Sequence, residues 1–598
     1  MKLKGMVICA LLLALASISQ AKEKQLEVVR VWPEKLLYGT KEPVQITVTL
    51  RNTMAAPQQA DLFVTLVSDV NTKREVSRRS VTIPTGTTKV VVSTESHEEF
   101  GHEVQAVLMQ NGREVSRGRE FFTVCDHAPL VSQYSVHLPY AGSEKRLKEF
   151  EIPRIRNNYI TMMELYFWSP ASFGDFTPEG ETWSSGELRH YNGNRAILRA
   201  YIQGLHAHGI KVLTYVNHAF WGNRAWEILS DHPERAMYLG NGQWYARFDY
   251  EETGGYDIGP ENYLKSSVCM VSFIDPIVVE FGAQALVDGM KMFGYDGARW
   301  DGQWTVSGDY GKLDHFDVNG QLSPRYPESD EMATRNHLLT QKILRKENPD
   351  FISGYNYGVR MVEGAPINLP KFFSTSMGDN GWILWEGGLP MSQGLAPGLD
   401  TWPIVAKVIA NDTRIVRDVG GELYLHVYSG SPVFNSYLCA ITFANRAHLS
   451  SPKNLGHWYR FAIRYGGLLY DRKLRLAGDD VIKNINVQAE VPLWWKDTVY
   501  TRERPDGREQ LILHLINPPA NEKIVPKEKV APAVRRNVRV TVPVPAGMSL
   551  VEASTMSPDP DTHGISLNAV VKNGQAVVTV PELAFWNIVV FEFEKESR

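Results

Sequence analysis

The chain has 598 residues, of which 43% are hydrophobic and 22% are charged, so it is long enough to form several domains with their own cores. Its 63 basic and 67 acidic residues give a formal net charge of -4. This balance offers no basic surface for nucleic acid and no polybasic patch for a membrane, so we expect neither as a partner.

The first 21 residues, MKLKGMVICALLLALASISQA, have the features of a secretory signal peptide. Two lysines precede a short apolar run, and small residues stand at Ser19 and Ala21. The run is shorter than the roughly 20 residues of a membrane-spanning helix. We therefore predict cleavage after Ala21 and a secreted or periplasmic protein with no membrane insertion after cleavage. The remaining Cys125, Cys269 and Cys439 are far apart, which favours buried thiols over disulfides or a zinc site.

Residues 22–127 are predicted to form an immunoglobulin-like β-sandwich. Runs such as VQITVTL and DLFVTLVS alternate apolar and polar residues and are separated by turn residues. This two-residue period is typical of antiparallel strands that have one buried face. The region shows no catalytic motif.

Residues 128–485 alternate strand-like apolar runs with amphipathic helical stretches, as parallel βα units do. Two of the helical stretches end at Gly209 and Gly294, and glycine is common at helix C-termini. We predict a (β/α)8 barrel whose eight strands begin at Tyr159, Lys211, Val268, Gly297, Phe351, Phe372 (or at WILWE just after it), Leu423 and Leu438. The run from Val268 could instead be a hairpin outside the barrel.

Residues 486–598 return to β-like runs such as EQLILHLIN, NVRVTVPVP and WNIVVFEFE, which predict a C-terminal β-sandwich. The predicted fold class is therefore multidomain α/β. A central TIM barrel is flanked by an N-terminal immunoglobulin-like β-sandwich and a C-terminal β-sandwich.

The stretch GYDGARWDGQW contains the first candidate catalytic residues. Asp301 ends the fourth predicted strand, and Arg299, two residues earlier, points to the same face of the strand. The reacting groups of such barrels lie at the C-terminal ends of strands. A neighbouring guanidinium keeps a carboxylate ionised, as a nucleophile requires, so we expect Asp301 to be the nucleophile and Arg299 to support it. Asp296 fits a turn or a cap better than catalysis.

A retaining glycosidase needs a second carboxyl group, protonated and about 5 Å from the first. Glu386 is the best candidate for this acid/base, because Trp382 and Trp385 would form an apolar wall that raises its pKa. Asp379 competes for the role, and weaker alternatives are Glu363 and Glu164.

Aromatic, amide and imidazole side chains cluster at the predicted strand ends, where they suit sugar binding. The candidates for substrate binding are Trp168, Asn217, His218, Trp304, Asn356, Tyr357, Asp379 and Trp385. The same aromatic cluster includes Tyr166, Trp221, Trp300 and Tyr355. The sequence has no phosphate-binding loop, no G-x-S-x-G elbow and no H-E-x-x-H motif. We expect no cofactor and no catalytic metal, and the presence of a structural calcium is open.

Several blocks, in this order, resemble glycoside hydrolase family 66, the dextranases and cycloisomaltooligosaccharide glucanotransferases: LHAHGIKVLTYVN, FIDP, FGYDGARWDG, WYRFAIRYGGLLYD, LHLIN, SPDP and VPELAFWNIVVFE. That family has an immunoglobulin-like domain, a (β/α)8 barrel and a C-terminal β domain. The resemblance implies an Asp nucleophile after the fourth strand and a Glu acid/base after the sixth, which correspond to Asp301 and Glu386. DGARWD also resembles the D-G-x-R-x-D strand of the α-amylase family, but FISGYNYG has no carboxylate where that family places its acid.

The leading hypothesis is a secreted retaining glycoside hydrolase or transglycosylase that acts on an α-linked oligo- or polysaccharide, with a dextran-like α-glucan as the first guess. The alternatives are a carbohydrate-binding protein on a catalytically degenerate barrel and a barrel glycosidase of different linkage specificity. The sequence leaves open the sugar, endo or exo action, hydrolysis or transfer, and the oligomeric state.

Overall fold

The structure is a computed structural model that describes residues 25–596, with gaps at 96–97, 138–142, 171–173, 185–191, 217–218, 222–228, 245, 248–267, 272–275, 302–315, 324–329, 357–379, 386–398, 427–429 and 451–455. The chain forms two compact units. The first comprises the chain up to Glu34 together with Lys41–His97 and His102–Phe122, and the second comprises the rest.

The first unit consists of antiparallel strands. One sheet has the strand order Leu26–Pro33, Pro43–Asn52, Gly86–Glu95, and the other has Arg113–Val124, Phe100–Gln110, Gln58–Ser68, Thr72–Ile83. The strand period is visible in Val44, Ile46, Val48 and Leu50, which are all fully buried, while the residues between them are partly exposed. This alternation is that of a sheet with one face on a core, as the sequence predicts.

The second unit contains a closed barrel of eight parallel strands. Each strand pairs with the next along the chain, and the last pairs with the first. The strands are β1 Tyr134–His137, β2 Met162–Leu165, β3 Lys211–Val216, β4 Gly297–Trp300, β5 Ile352–Asn356, β6 Gly381–Trp385, β7 Glu422–His426 and β8 His448–Ser450.

Helices lie between these strands and cover them. They are α1 Ile152–Asn157, α2 Arg195–His206, α3 Pro276–Phe293, α4 Asp330–Glu347, α5 Trp402–Asp418, α6 Pro432–Ala444 and, after β8, α7 Gly456–Arg464. The loop after α2 turns at Gly209 (φ +68°), and α3 ends at Gly294 (φ +89°). Glycine adopts this left-handed backbone without a steric penalty, so both predicted helix ends have a physical cause.

Two predicted barrel strands are wrong. The run from Leu438 belongs to helix α6, which begins at Pro432, directly after the capping residue Ser431. A short apolar run that is buried on all sides has no helical or strand period, so its pattern does not distinguish the two. The run from Val268 is a three-residue strand in a small antiparallel sheet with Ala219–Trp221 and Ala246–Arg247, outside the barrel.

The strands that the sequence pattern misses are β1 and β8, which have only four and three residues. The prediction misses β1 but wrongly counts the run from Val268, and both precede β4. The two errors cancel, so β4 is the fourth barrel strand in the prediction and in the structure. Of the two alternatives for the sixth strand, WILWE overlaps β6 at residues 382–385, whereas Phe372 lies outside the described residues.

The C-terminal region consists of two antiparallel sheets. The first has the order Arg475–Leu476, Val499–Glu503, Glu509–Ile516, Trp586–Lys595, Met548–Ser557, His563–Leu567, and the second has Asn486–Gln488, Arg535–Pro543, Gln575–Leu583, Val570–Lys572. Alternate residues of both sheets, such as Leu513, Val540 and Phe591, share one buried core. The predicted fold class, a TIM barrel flanked by β regions, is confirmed. Domain boundaries at 127/128 and 485/486 stay predictions.

Candidate active site

Arg299 and Asp301 lie at the C-terminal end of β4. The Arg299 side chain is 4% exposed, whereas that of Asp301 is 22% exposed. The Arg299 Nη1 atom is 3.2 Å from Oδ1 of Asp301. The backbone N–H of Asp301 donates to the Val216 carbonyl at 2.8 Å and so fixes the residue to the end of β3. A carboxylate that is both anchored and accessible stands at the barrel end where such enzymes react.

The second oxygen of Asp301 also has a partner. Tyr215 lies on the neighbouring strand β3, and its hydroxyl donates to Oδ2 at 2.8 Å. The rings of Tyr166 and Phe167 meet the Tyr215 ring edge-on, with centroids 4.4 and 4.7 Å away. These contacts fix the direction of the Tyr215 hydroxyl, so both carboxylate oxygens are oriented by side chains that are themselves packed.

Glu164 on β2 lies beneath this pair and is fully buried. It accepts two hydrogen bonds from Arg299, Nε to Oε2 at 2.6 Å and Nη2 to Oε1 at 2.9 Å, and a third from the Tyr134 hydroxyl. Burial raises the pKa of Glu164, and the charge of Arg299 acts against that rise. Since the carboxylate is occupied and has no access to solvent, its position argues against the weaker alternative of Glu164 as the acid.

Arg299 is therefore shared by two carboxylates. Burial acts to lower its pKa, but the charges of Glu164 and Asp301 outweigh that effect and raise the pKa well above its ordinary value. The guanidinium is a permanent cation that is held in plane by its bidentate contact with Glu164. Its remaining edge is thereby directed at Asp301.

His426, at the end of β7, is a site residue that the sequence analysis does not single out. Its Nδ1 lies 2.7 Å from the hydroxyl of Ser450 on β8. Burial, followed by the positive charge of Arg299, lowers the pKa of His426 to about 4. A neutral imidazole is thus present near the same cation at neutral pH. The missed strand β8 explains the omission, because Ser450 could not be placed beside β7.

Two predicted sugar-binding residues are buried. Trp168 is 3% exposed, its indole N–H donates to the His137 carbonyl at 3.0 Å, and its ring packs 5.4 Å from that of Tyr201 on α2. Trp385 is 2% exposed. Stacking on a sugar requires an accessible ring face, so the burial of both side chains argues against this role, which stays a prediction for Trp168 and Trp385.

Other aromatic residues of the predicted cluster face the helices. Trp300 stacks on Tyr355 at 5.4 Å, and the Tyr355 hydroxyl contacts Gln341 and His337 of α4. Side chains alternate along a strand, and Trp300 lies between Arg299 and Asp301, whose side chains point into the barrel. The Trp300 side chain therefore points outwards, to the helices. Asp296 lies at the opposite end of β4, where it accepts hydrogen bonds from the Val212 N–H and from His206, in keeping with a capping role.

The remaining predicted site residues lie outside the described part of the structure. They are Glu386, Asp379, Asn217, His218, Trp304 and Tyr357, and of Asn356 only the backbone is described. Within the described side chains, no group of three or more His, Cys, Asp or Glu is arranged to hold a metal ion. The described site therefore comprises Asp301, Arg299, Glu164, Tyr215 and His426.

Comparisons with known proteins agree with this architecture. The profile of Glycosyl hydrolase family 66 matches residues 442–590. A solved cycloisomaltooligosaccharide glucanotransferase from Paenibacillus sp. has a TM-score of 0.71 at 13% identity, with 94% of this chain and 99% of that chain covered. The resemblance to glycosyl hydrolase family 66 is confirmed. At this identity the structural likeness shows the fold, and together with the profile it supports a glycoside hydrolase.

More distant folds are also similar in part. A maltogenic alpha-amylase from Thermotoga neapolitana has a TM-score of 0.43 at 13% identity, with 76% of this chain and 98% of that chain covered. A comparison with curated protein sequences gives no match. Across the described ranges, no helical segment combines the length and apolar character of a membrane span.

Proposed function

We propose that the chain is a secreted retaining glycoside hydrolase or transglycosylase acting on α-linked oligo- or polysaccharides, with a dextran-like α-glucan as the first substrate class. The observation that carries the proposal is the accessible Asp301 carboxylate at the C-terminal end of β4, with Arg299 and Tyr215 on its two oxygens. The glucanotransferase that shares this fold was solved with cycloisomaltoheptaose, which favours an α-linked glucan over other glycans.

In the proposed reaction, an oxygen of Asp301 attacks the anomeric carbon as the bond to the leaving oxygen breaks. Glu386 donates a proton to that oxygen and then takes one from water or from an acceptor hydroxyl, which displaces Asp301. Arg299 and Tyr215 keep the nucleophile oriented in both steps. Two inversions at the same carbon retain its configuration.

The position of Glu386 in the sequence supports its role as the acid/base. Trp382 on β6 faces the barrel interior, where its ring is 4.8 Å from Tyr134 and 4.9 Å from Tyr424. Side chains alternate along a strand, so an inward direction at position 382 recurs at even positions. We therefore expect position 386, directly after the end of β6, to belong to the inward set.

The test is an assay of the purified protein on a panel of α-glucans with different linkages. Asp301→Asn and Glu386→Gln should each lower kcat by about 1,000-fold or more, and NMR of the first product should show the anomeric configuration of the substrate. Asp418→Asn, an exposed carboxylate on α5, is the matched control and should keep full activity. Full activity in either of the first two variants would refute the assignment, and glycan binding without any product from the parent would favour a carbohydrate-binding protein.

Export is the second part of the proposal. Residues 1–21 lie outside the described residues, and the proposal for them depends on the signal-peptide pattern alone. Mass spectrometry of protein from the medium or the periplasm should show an N-terminus at Lys22. Intact Met1 on the mature protein would contradict export by this route.

A further inference from the structure

A cleft of about 530 Å³ lies at the end of the barrel opposite to Asp301. Helices α5 and α6 end there and lead into the N-terminal ends of β7 and β8. Strands Arg475–Leu476 and Val499–Glu503 of the C-terminal region contribute other residues of its lining. Its volume is within the range of about 300–1,000 Å³ that is usual for small-molecule sites.

Arginines dominate the charged lining of this cleft. They are Arg414, Arg417, Arg446, Arg472 and Arg475, against the acidic residues Asp418, Glu422 and Asp497. Five cations against three anions leave a formal surplus of two positive charges. Two of the three carboxylates already have arginine partners, since Glu422 lies 2.5 Å from Arg417 and Asp418 lies 3.4 Å from Arg414.

Arg446 is the unusual member of this set. Its guanidinium donates only to neutral acceptors, the carbonyls of Leu474 at 3.2 Å and Asp471 at 2.9 Å. Its Nε is buried without a hydrogen-bond partner, and among the described residues no carboxylate lies within 4.0 Å of it. Burial and then the charge of Arg417 lower the pKa of Arg446 to about 10. The guanidinium lies 5.7 Å from the Tyr500 ring, and the carboxylates of Glu422 and Asp471 act on it from beyond ion-pair distance. A largely buried cation without an ion-pair partner is costly, so an anion bound in the cleft would stabilise it.

The backbone at Arg446 gives an additional argument. The residue has φ +64°, in the left-handed region, directly after the C-cap of α6. Glycine is the usual residue at such a position, and a side chain there costs about 1 kcal/mol. The chain thus places an arginine where the backbone conformation alone favours a glycine.

We propose that this arginine cleft is a binding site for a phosphate group, either free or carried by a sugar. The surplus of two charges matches a dianion, and guanidinium groups bind phosphate oxygens in pairs. The cleft is much larger than a phosphate ion, so a sugar-sized body fits beside the anion. Because the site is at the opposite end of the barrel, it does not depend on the proposed glycosidase function, and Asp301→Asn should leave binding unchanged.

The experiment is calorimetric titration of the mature full-length protein at low ionic strength and pH 7.5, with inorganic phosphate, sulfate, glucose 6-phosphate and glucose. We expect one saturable site for phosphate, tighter binding of glucose 6-phosphate and no binding of glucose. Arg446→Gln should weaken phosphate binding at least tenfold, equivalent to about 1.4 kcal/mol. It should also raise the melting temperature of the phosphate-free protein, because it removes a largely buried charge that has no ion-pair partner.

Two further variants keep the test decisive. Arg475 is an exposed residue of the cleft, so its replacement does not disturb the buried core. Arg475→Gln should weaken phosphate binding several-fold. Arg539→Gln, an exposed arginine of the same region that does not line the cleft, should have no effect. Absence of saturable phosphate binding, or binding indifferent to both Arg446→Gln and Arg475→Gln, would overturn the proposal. Tighter binding of sulfate than of phosphate would overturn the assignment of the ligand.

Discussion

Arg299 lies between two carboxylates that differ in their access to solvent. Glu164 is buried in the barrel and accepts hydrogen bonds from Nε and Nη2 of the guanidinium. Asp301, at the barrel mouth, forms an ion pair with Nη1. Removing one partner of a buried pair leaves a charge uncompensated, which is more costly than the pair is stabilising. Glu164 is therefore a positioning residue for the proposed nucleophile, because it determines where the guanidinium points.

Glu164→Gln tests this role. The variant keeps the shape of the side chain but removes its charge, so we expect the unfolding free energy to fall by about 3 kcal/mol or more. In the proposed reaction kcat should fall at least tenfold with KM within about twofold. The acidic limb of the pH–rate profile should move to lower pH, because the charge of Arg299 then acts on Asp301 alone.

Tyr134→Phe is the matched control, since it removes a hydrogen bond to Glu164 without changing any charge. It should lower stability modestly and leave the pH profile in place. An unchanged profile in Glu164→Gln would reduce Glu164 to a purely structural role.

At the level of elements, the sequence predicts best where a strand is long enough to show a period or a helix has an end signal. Helices α2 and α3 and the six-residue strand β3 are of this kind, and the four-residue strand β4 is recognised because it follows the glycine end of α3. Strands β1 and β8 are too short for a pattern, and each is defined by pairing with neighbours that are distant in sequence. The surroundings of Arg299 were partly missed with them, because Tyr134, which donates to Glu164, and Ser450, which contacts His426, lie on these two strands.

Helix α5 carries a carboxyl group that limits stability at neutral pH. Asp412 is 2% exposed, its Oδ1 accepts from Asn411 at 3.2 Å, and its Oδ2 is buried without a partner. Burial raises the pKa of Asp412 to about 7. The folded-state pKa is above the unfolded value, so the protein loses stability as the pH rises from about 4 through 7, by up to about 4 kcal/mol.

Asp412→Asn should accordingly raise the melting temperature at pH 8 and change it little at pH 4.5. Calorimetry over this pH range measures the effect, with Asp418→Asn as the control because Asp418 is on the same helix but exposed. Equal shifts at both pH values would mean that packing, and not ionisation, determines the result.

At the scale of the whole second unit, one aromatic stack joins the barrel to the C-terminal sheets. Trp586 stacks on Trp458 of α7 at 5.9 Å and on His514 at 5.7 Å, and it meets Phe461 edge-on at 5.1 Å. All four side chains are fully buried. The segment matched by the family profile, 442–590, includes both sides of this stack. The similarity in sequence is therefore concentrated at a structural junction, whereas the proposed catalytic loops lie elsewhere.

Trp586→Ala should lower the unfolding free energy by about 3–5 kcal/mol, because it leaves a large cavity between the barrel helices and the sheet. Chemical denaturation monitored by circular dichroism measures the change. Val570→Ala, on an exposed edge strand, should remain within about 0.5 kcal/mol of the parent.

We expect a chain shortened at residue 485 to be insoluble, because Trp458 and Phe461 would then face water. A soluble, cooperatively unfolding barrel would contradict this expectation.

Each carboxylate oxygen of Asp301 is contacted by one side chain, Oδ1 by Arg299 and Oδ2 by Tyr215. If the carboxylate is deleted, as in Asp301→Gly, the Arg299 nitrogen and the Tyr215 hydroxyl, which contact different oxygens of Asp301, are both left beside the space it occupied. That space becomes a receptor for a small monoanion such as azide or formate, already oriented towards the barrel mouth. If Asp301 is the nucleophile, as proposed, this variant should be inactive but open to chemical rescue, in which an added anion attacks the anomeric carbon in place of the carboxylate and gives a product of inverted configuration.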